Sequence, residues 1–231
     1  MPKSDLLLLH GAMGSADIFS SLMKELSNQY NVHAIDFNGH GQRDIIGEKY
    51  TVQNFIEDIL GYLDQNSLSK INIFGYSMGG LVAMLLAARY PEKVEKVFTY
   101  GAKIFWTPEV ADKTVKFLDS EIIMARNPDF AKQLEAMHRG FGWQNVVDKT
   151  VVFTEELGRG EAFDKSALTD LNVPLRYTVG DRDHLISLDE VVKFSELVDT
   201  DIEIGVFPNS KHALETVNAQ ELKTSICNYF I

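Results

Sequence analysis

The segment Ile71-Asn72-Ile73-Phe74-Gly75-Tyr76-Ser77-Met78-Gly79-Gly80-Leu81-Val82-Ala83 decides the fold. It runs from a β-branched stretch through a serine set between glycines into a helix-forming stretch. The pattern G-x-S-x-G between a strand and a helix forces the serine onto a sharp turn. Its Oγ then stands exposed at the carboxyl edge of a sheet, where it can attack a carbonyl. Gly75 and Gly79 stand two residues to either side of Ser77, where a Cβ would clash as the strand doubles back into the helix. The helix that follows aims its first N–H groups and its positive dipole end at the place where an oxyanion forms.

Outward from this segment, short apolar runs alternate with helical patterns, which predicts a mostly parallel sheet covered on both faces. Six strands are expected, over 5–10, 31–37, 70–74, 94–100, 175–179 and 201–207. Ile18, Phe19, Leu22, Met23 and Leu26 form one apolar helical face, and Val52, Phe55, Ile56, Ile59, Leu60 and Leu63 another. The stretch from Leu81 to Ala88 is apolar nearly all round and predicts a central, buried helix. Ser187 and Glu190 form a capping-box pair.

The alternation breaks between Ala102 and Val173. Thr107-Pro108 and Asn127-Pro128 each read as an N-cap followed by proline at the first helical position. The helices they open carry Val110, Phe117, Leu118 and Ile122, then Phe130, Leu134 and Met137. The expected organisation is a core over 1–102 and 173–231 with a helical lid inserted at 103–172. Such an insertion follows a strand's carboxyl end, the edge at which open α/β sheets bind ligands. An extra helical layer without substrate contact is the alternative.

The chain has 231 residues, 45% of them hydrophobic and 24% charged, the balance of a soluble globular protein of one domain. A formal net charge of −11 opposes phosphate binding and argues against nucleic acid. Cys227 is the single cysteine and has no internal disulfide partner. The four leucines after Met1-Pro2-Lys3-Ser4-Asp5 are too few for a signal peptide, and no apolar run approaches the roughly 20 residues that span a bilayer. A cytoplasmic protein without membrane contact is expected. No Cys/His cluster or His pair at zinc-ligand spacing appears, and Asp36 with His40 is a weak pair, so no metal or cofactor is expected.

A serine hydroxyl needs an adjacent base, normally a histidine held by a carboxylate. Of the six histidines, only His212 lies on a late strand-end loop on the side that carries Ser77. For the acid, Asp181 and Asp183 compete in Gly180-Asp181-Arg182-Asp183. The turn returns the third residue beyond Gly180 towards the sheet, which favours Asp183 and leaves Asp181 as a solvated turn residue or a partner of Arg182. The end of the preceding strand, Tyr100-Gly101-Ala102, offers no carboxylate. Backbone donors for an oxyanion are expected from Met78, directly after the serine, and from Ala12 in the loop after the first strand. Tyr76, Phe105, Trp106, Trp143 and Met78 are candidates for an apolar acyl pocket, of which Tyr76, Trp106 and Trp143 are taken as substrate-binding.

These motifs resemble those of the α/β-hydrolase superfamily, in particular its lid-bearing group. The matching residues are His10-Gly11-Ala12-Met13-Gly14-Ser15, Asp36-Phe37-Asn38-Gly39-His40-Gly41, the segment Gly75 to Gly80, Gly180-Asp181-Arg182-Asp183 and Lys211-His212. The resemblance implies hydrolysis of a small carboxylic ester or lactone through an acyl-enzyme at Ser77, with His212 as base and Asp183 as orienting acid. It also implies that His10 and His40 shape loops. The same scaffold hosts carbon–carbon bond hydrolases, a lyase of menaquinone synthesis and non-catalytic ligand receptors that keep the triad. That lyase usually carries an arginine shortly after the serine turn, where this chain has Leu81. Arg126, Arg139 and Arg159 are the arginines of the insertion left to serve an anionic substrate.

Overall fold

The computed structural model describes residues 3–231. Six strands form one parallel sheet in the order β2-β1-β3-β4-β5-β6. They are β1 (Ser4–Leu9), β2 (Tyr30–Ile35), β3 (Ile71–Tyr76), β4 (Val94–Tyr100), β5 (Leu175–Gly180) and β6 (Ile202–Phe207). The expected strands are all present, β4 with both ends as expected and the others with ends displaced by at most two residues.

Side-chain alternation along these strands builds two cores, because successive residues face opposite sides of a sheet. In β1, Leu7 and Leu9 join Ile73 and Val97 beneath α2 (Val52–Gln65), α3 (Met78–Arg89) and α8 (Leu188–Ser195). Leu6 and Leu8 join Phe74 and Phe98 on the other face, beneath α1 (Ser20–Leu26) and α9 (Ala219–Tyr229). All residues of α3 from Met78 to Ala87 are buried, as expected for a helix apolar on every side.

Four helices connect β4 to β5: α4 (Pro108–Val115), α5 (Ser120–Arg126), α6 (Pro128–Met137) and α7 (Trp143–Arg159). Thr107 and Asn127 cap α4 and α6 by accepting from the N–H groups of Val110 and Phe130. Phe117 departs from the sequence reading. Asp119 caps a new helix at α5, and the turn before it leaves Phe117 68% exposed instead of on an apolar helical face. The segment has a small core of its own, in which Ile123, Leu134, Trp143 and Val147 meet. Phe153 and Leu157 of α7 join the main core. Among the described residues, no helix is long and apolar enough to cross a membrane.

The turn between β3 and α3 is possible only without side chains at its flanks. A Cβ on Gly75 would lie 2.5 Å from Gly80 Cα, and one on Gly79 would lie 2.4 Å from the Leu9 carbonyl oxygen. Both obstacles are backbone, so neither can rotate aside. Overpacking of this kind costs about 1–3 kcal/mol, which for a chain of this length lowers Tm by roughly 3–10 °C. Gly75→Ala is therefore expected to melt several degrees below the parent in a thermal scan; an unchanged Tm would show that α3 can retreat from the sheet.

Candidate active site

The carboxyl ends of β3, β5 and β6 bring three distant side chains into line. Ser77 Oγ lies 2.9 Å from His212 Nε2, and His212 Nδ1 lies 2.9 Å from Asp183 Oδ2. Since the carboxylate can only accept, Nδ1 carries the proton and Nε2 turns its lone pair towards the serine. The Asp183 side chain is fully buried, and its Oδ1 accepts from the N–H groups of Leu185 at 2.8 Å and Ile186 at 3.1 Å. Burial alone pushes the Asp183 carboxyl up. The bond and electrostatic attraction of His212 and the two backbone donors outweigh that and hold the group below the ordinary carboxylate range.

Backbone contacts knit the acid turn to the histidine loop. The Asp183 N–H closes the turn on Gly180 O at 3.1 Å, and the Arg182 N–H donates to Ser210 O at 3.0 Å. Asp181 Oδ1 accepts from the Ser210 N–H at 3.0 Å. Asp181 is an exposed turn residue that also ties down Ser210, and it does not pair with Arg182, whose guanidinium donates to Asn209 Oδ1 instead. The Tyr100 hydroxyl donates to Lys211 O, beside His212.

Ala12, on the loop after β1, and Met78, at the first position of α3, line the same cavity as Ser77. Among the described residues, neither N–H donates to a protein acceptor, as expected at a helix start for Met78. Three histidines pack around the Ala12 loop. His10 accepts from the Phe37 N–H at Nε2 (3.1 Å), so its Nδ1–H donates to Gly11 O at 2.8 Å. His40 Nδ1 donates to Asn38 O, and His138 bridges Gly41 and Met13. The Asp36 carboxylate is occupied by the N–H groups of Ala16 and Gln42.

A cavity of about 700 Å³ opens at Ser77 and runs beneath the β4–β5 segment. Tyr76 and Trp106 line it; Phe105 and Trp143 do not. Trp143 is held in the segment's own small core, and Phe105 lies under the ammonium of Lys193. Arg126, Arg139 and Arg159 are exposed on the surface. The cation in the lining is Lys103, which the sequence reading passed over. Its position two residues past Gly101, at the carboxyl end of β4, was the available signal. Lys103 Nζ donates to Glu190 Oε1 at 2.7 Å and to Leu185 O at 2.9 Å.

The fold and this line of side chains are those of an α/β hydrolase. The family model for the alpha/beta hydrolase fold matches residues 6–133, more than half of the chain, and the chain belongs to that family. A 2-(acetamidomethylene)succinate hydrolase of Mesorhizobium japonicum is 22% identical over 246 residues, covering 97% of this chain and 87% of that protein. A pimeloyl-acyl-carrier-protein methyl ester esterase of Aeromonas hydrophila is 31% identical over 99 residues, covering 42% of this chain and 37% of that protein. The first curated relatives are matched over about a third of their length. Among solved structures, E-2-(acetamidomethylene)succinate hydrolase superposes with a TM-score of 0.79 at 21% identity, covering 99% of this chain and 92% of the other.

Burial fixes the acid response of the loops. Desolvation lowers His10 from 6.5 to about 4, and it also lowers His40 and His138. The unfolded chain takes up these protons near pH 6.5, whereas folded His10 takes one only near pH 4. In that window the unfolded state binds more protons, so stability falls as pH falls. Each such histidine contributes up to about 1.4 kcal/mol per pH unit. Urea denaturation at pH 7, 5.5 and 4.5 is expected to show a progressive loss of stability, reduced in His10→Asn; a flat profile in the parent chain would contradict it.

Proposed function

We propose that this chain is a serine hydrolase that cleaves a carboxylic ester or lactone with an uncharged acyl group of moderate size. The observation that carries the reading is the Ser77–His212–Asp183 line opening into the cavity. His212 Nε2 takes the proton as Ser77 Oγ attacks the carbonyl, and Asp183 stabilises the imidazolium. The Ala12 and Met78 N–H groups receive the oxyanion. The alcohol leaves with the proton held by His212. Water, deprotonated by the same nitrogen, then attacks the acyl-enzyme, and the His212 imidazolium returns that proton to Ser77 Oγ as the acid departs.

The cavity lies within the range of small-molecule sites and far exceeds an acetyl group. Met78, Leu81, Trp106, Phe153 and Leu157 give it an apolar floor. We read the helical segment between β4 and β5 as a lid, because α4, α6 and α7 all contribute lining residues. The Lys103 ammonium is already met by Glu190, which favours a neutral acyl group. A second reading, cleavage of a carbon–carbon or other bond in an anionic substrate, is favoured by the unassigned third Nζ–H of Lys103 in the same lining.

p-Nitrophenyl acetate, butyrate, octanoate and palmitate, together with a carboxylate-bearing ester, test both. Turnover is expected to peak at butyrate or octanoate, and a preference for the anionic ester would favour the second reading. Ser77→Ala is expected to lose all turnover and all labelling by a fluorophosphonate. Asp183→Asn is expected to lose about 10⁴-fold in kcat, whereas Asp181→Asn stays within roughly tenfold. Residual activity in folded Ser77→Ala would overturn the reading, and the reverse ranking of the two aspartates would exchange their roles.

A further inference from the structure

His138 ends α6, and its ring is buried between the loop after β1 and the loop after β2. Nδ1 accepts from the Gly41 N–H at 2.9 Å, and Nε2 lies 2.9 Å from Met13 O. One partner can only donate and the other can only accept, so the ring is neutral with its proton on Nε2. We propose that His138 is a positioning residue for the oxyanion loop: through Met13 it sets the aim of the Ala12 N–H. The proposal rests on the oxyanion role given to Ala12 above.

Peptide planarity carries the connection. The carbonyl and N–H of one trans peptide point in opposite directions, so fixing either end fixes the other. His138 holds the Met13 carbonyl. The N–H of the same peptide, that of Gly14, donates to Gly11 O at 3.0 Å. Gly11 O belongs in turn to the peptide whose N–H is that of Ala12, and it also accepts from His10 Nδ1. The aim of Ala12 therefore follows from a four-residue turn, Gly11 to Gly14, held by His10 at one end and His138 at the other. Met13 requires such a hold: its φ of 57° is left-handed, a conformation that costs a side-chain-bearing residue about 1–2 kcal/mol. Its side chain also packs on the small core around Leu134 and Trp143.

This bond is separable from the docking of the helical segment. Gln42 Nε2 donates to Met137 O at 3.2 Å. The Gly140 backbone lies so close to the next loop that a Cβ there would sit 2.6 Å from Gln42 O. Neither contact involves the His138 Nε2–H that meets Met13.

The test compares His138→Asn, His138→Gln and Gln42→Ala on p-nitrophenyl butyrate, with a trifluoromethyl ketone as transition-state analogue and a urea melt for each variant. Asparagine keeps an acceptor near Gly41 and loses the donor to Met13; glutamine places an amide nitrogen near the Nε2 position. His138→Asn is expected to lower kcat about 10- to 100-fold, short of the roughly 10²–10³ of a deleted oxyanion donor. KM should stay within twofold of the parent and analogue affinity should fall in parallel. His138→Gln rescues most of kcat, and Gln42→Ala leaves it unchanged. A folded His138→Asn with parental kcat, a change confined to KM, or an equal loss in Gln42→Ala would overturn the proposal. Should His138→Asn not fold, a folded His138→Gln below a tenth of parental kcat would overturn it. A parent chain inert towards both ester and fluorophosphonate would overturn the proposed function itself, and the positioning role with it.

Discussion

Ser77 sits at φ 52° and ψ −116°, a backbone state that costs a residue with a side chain about 1–3 kcal/mol, and the surrounding structure is arranged to keep it there. Its N–H donates to Tyr100 O at 2.8 Å, and its carbonyl accepts from the N–H groups of Gly80 and Leu81. Tyr100 does more than anchor this turn. The same residue donates its hydroxyl to Lys211 O, so one position at the end of β4 fixes both the serine turn and the loop that presents His212. The strain at Ser77 and the placement of its histidine are parts of a single constraint.

A second network holds the acid. Lys103 reaches from the end of β4 to Leu185 O and Glu190, and Glu190 accepts from the Ser187 N–H while its own N–H returns to the Ser187 hydroxyl. Leu185 and Ser187 thus bracket the segment whose N–H groups hold Asp183 Oδ1. A buried ion pair of this kind contributes little net stability, because desolvation offsets most of its attraction. What Lys103 and Glu190 supply is direction: the loop has one arrangement in which every one of these polar groups is met.

The parts of the molecule that were legible in the sequence are those with local rules. The continuous apolar run Leu6-Leu7-Leu8-Leu9 predicted a strand covered on both faces, and side-chain direction divides these leucines between the two cores. The glycines around Ser77 announced a close approach that the Leu9 carbonyl and Gly80 now make concrete. Convergence of Ser77, Asp183 and His212 followed from chain order and strand ends, features readable without coordinates. His138 and the true setting of Trp143 were not readable. Each depends on how the helices between β4 and β5 settle over the sheet, and no periodicity within those helices specifies that. Trp143 and Phe117 show the same limit from opposite sides: one aromatic fills a small core, the other is turned out to solvent by the cap at Asp119.

The two histidines that hold the Gly11–Gly14 turn suit the task because a neutral imidazole accepts at one nitrogen and donates at the other across a rigid ring. An amide side chain offers the same pair of roles, but on a rotatable stem that must be ordered at a cost in entropy. A phenyl ring would fill the space and leave the Phe37 and Gly41 N–H groups, and the Gly11 and Met13 carbonyls, without these partners. Gly11 O would keep the Gly14 N–H; each buried group left with no partner at all costs about 1–3 kcal/mol. His40 stacks on Tyr50 with ring centroids 4.8 Å apart and uses only Nδ1, leaving Nε2 without a partner among the described residues. That asymmetry separates the roles: His10 and His138 fasten backbone at both ring nitrogens, while His40 fastens it at one and serves as packing with the other.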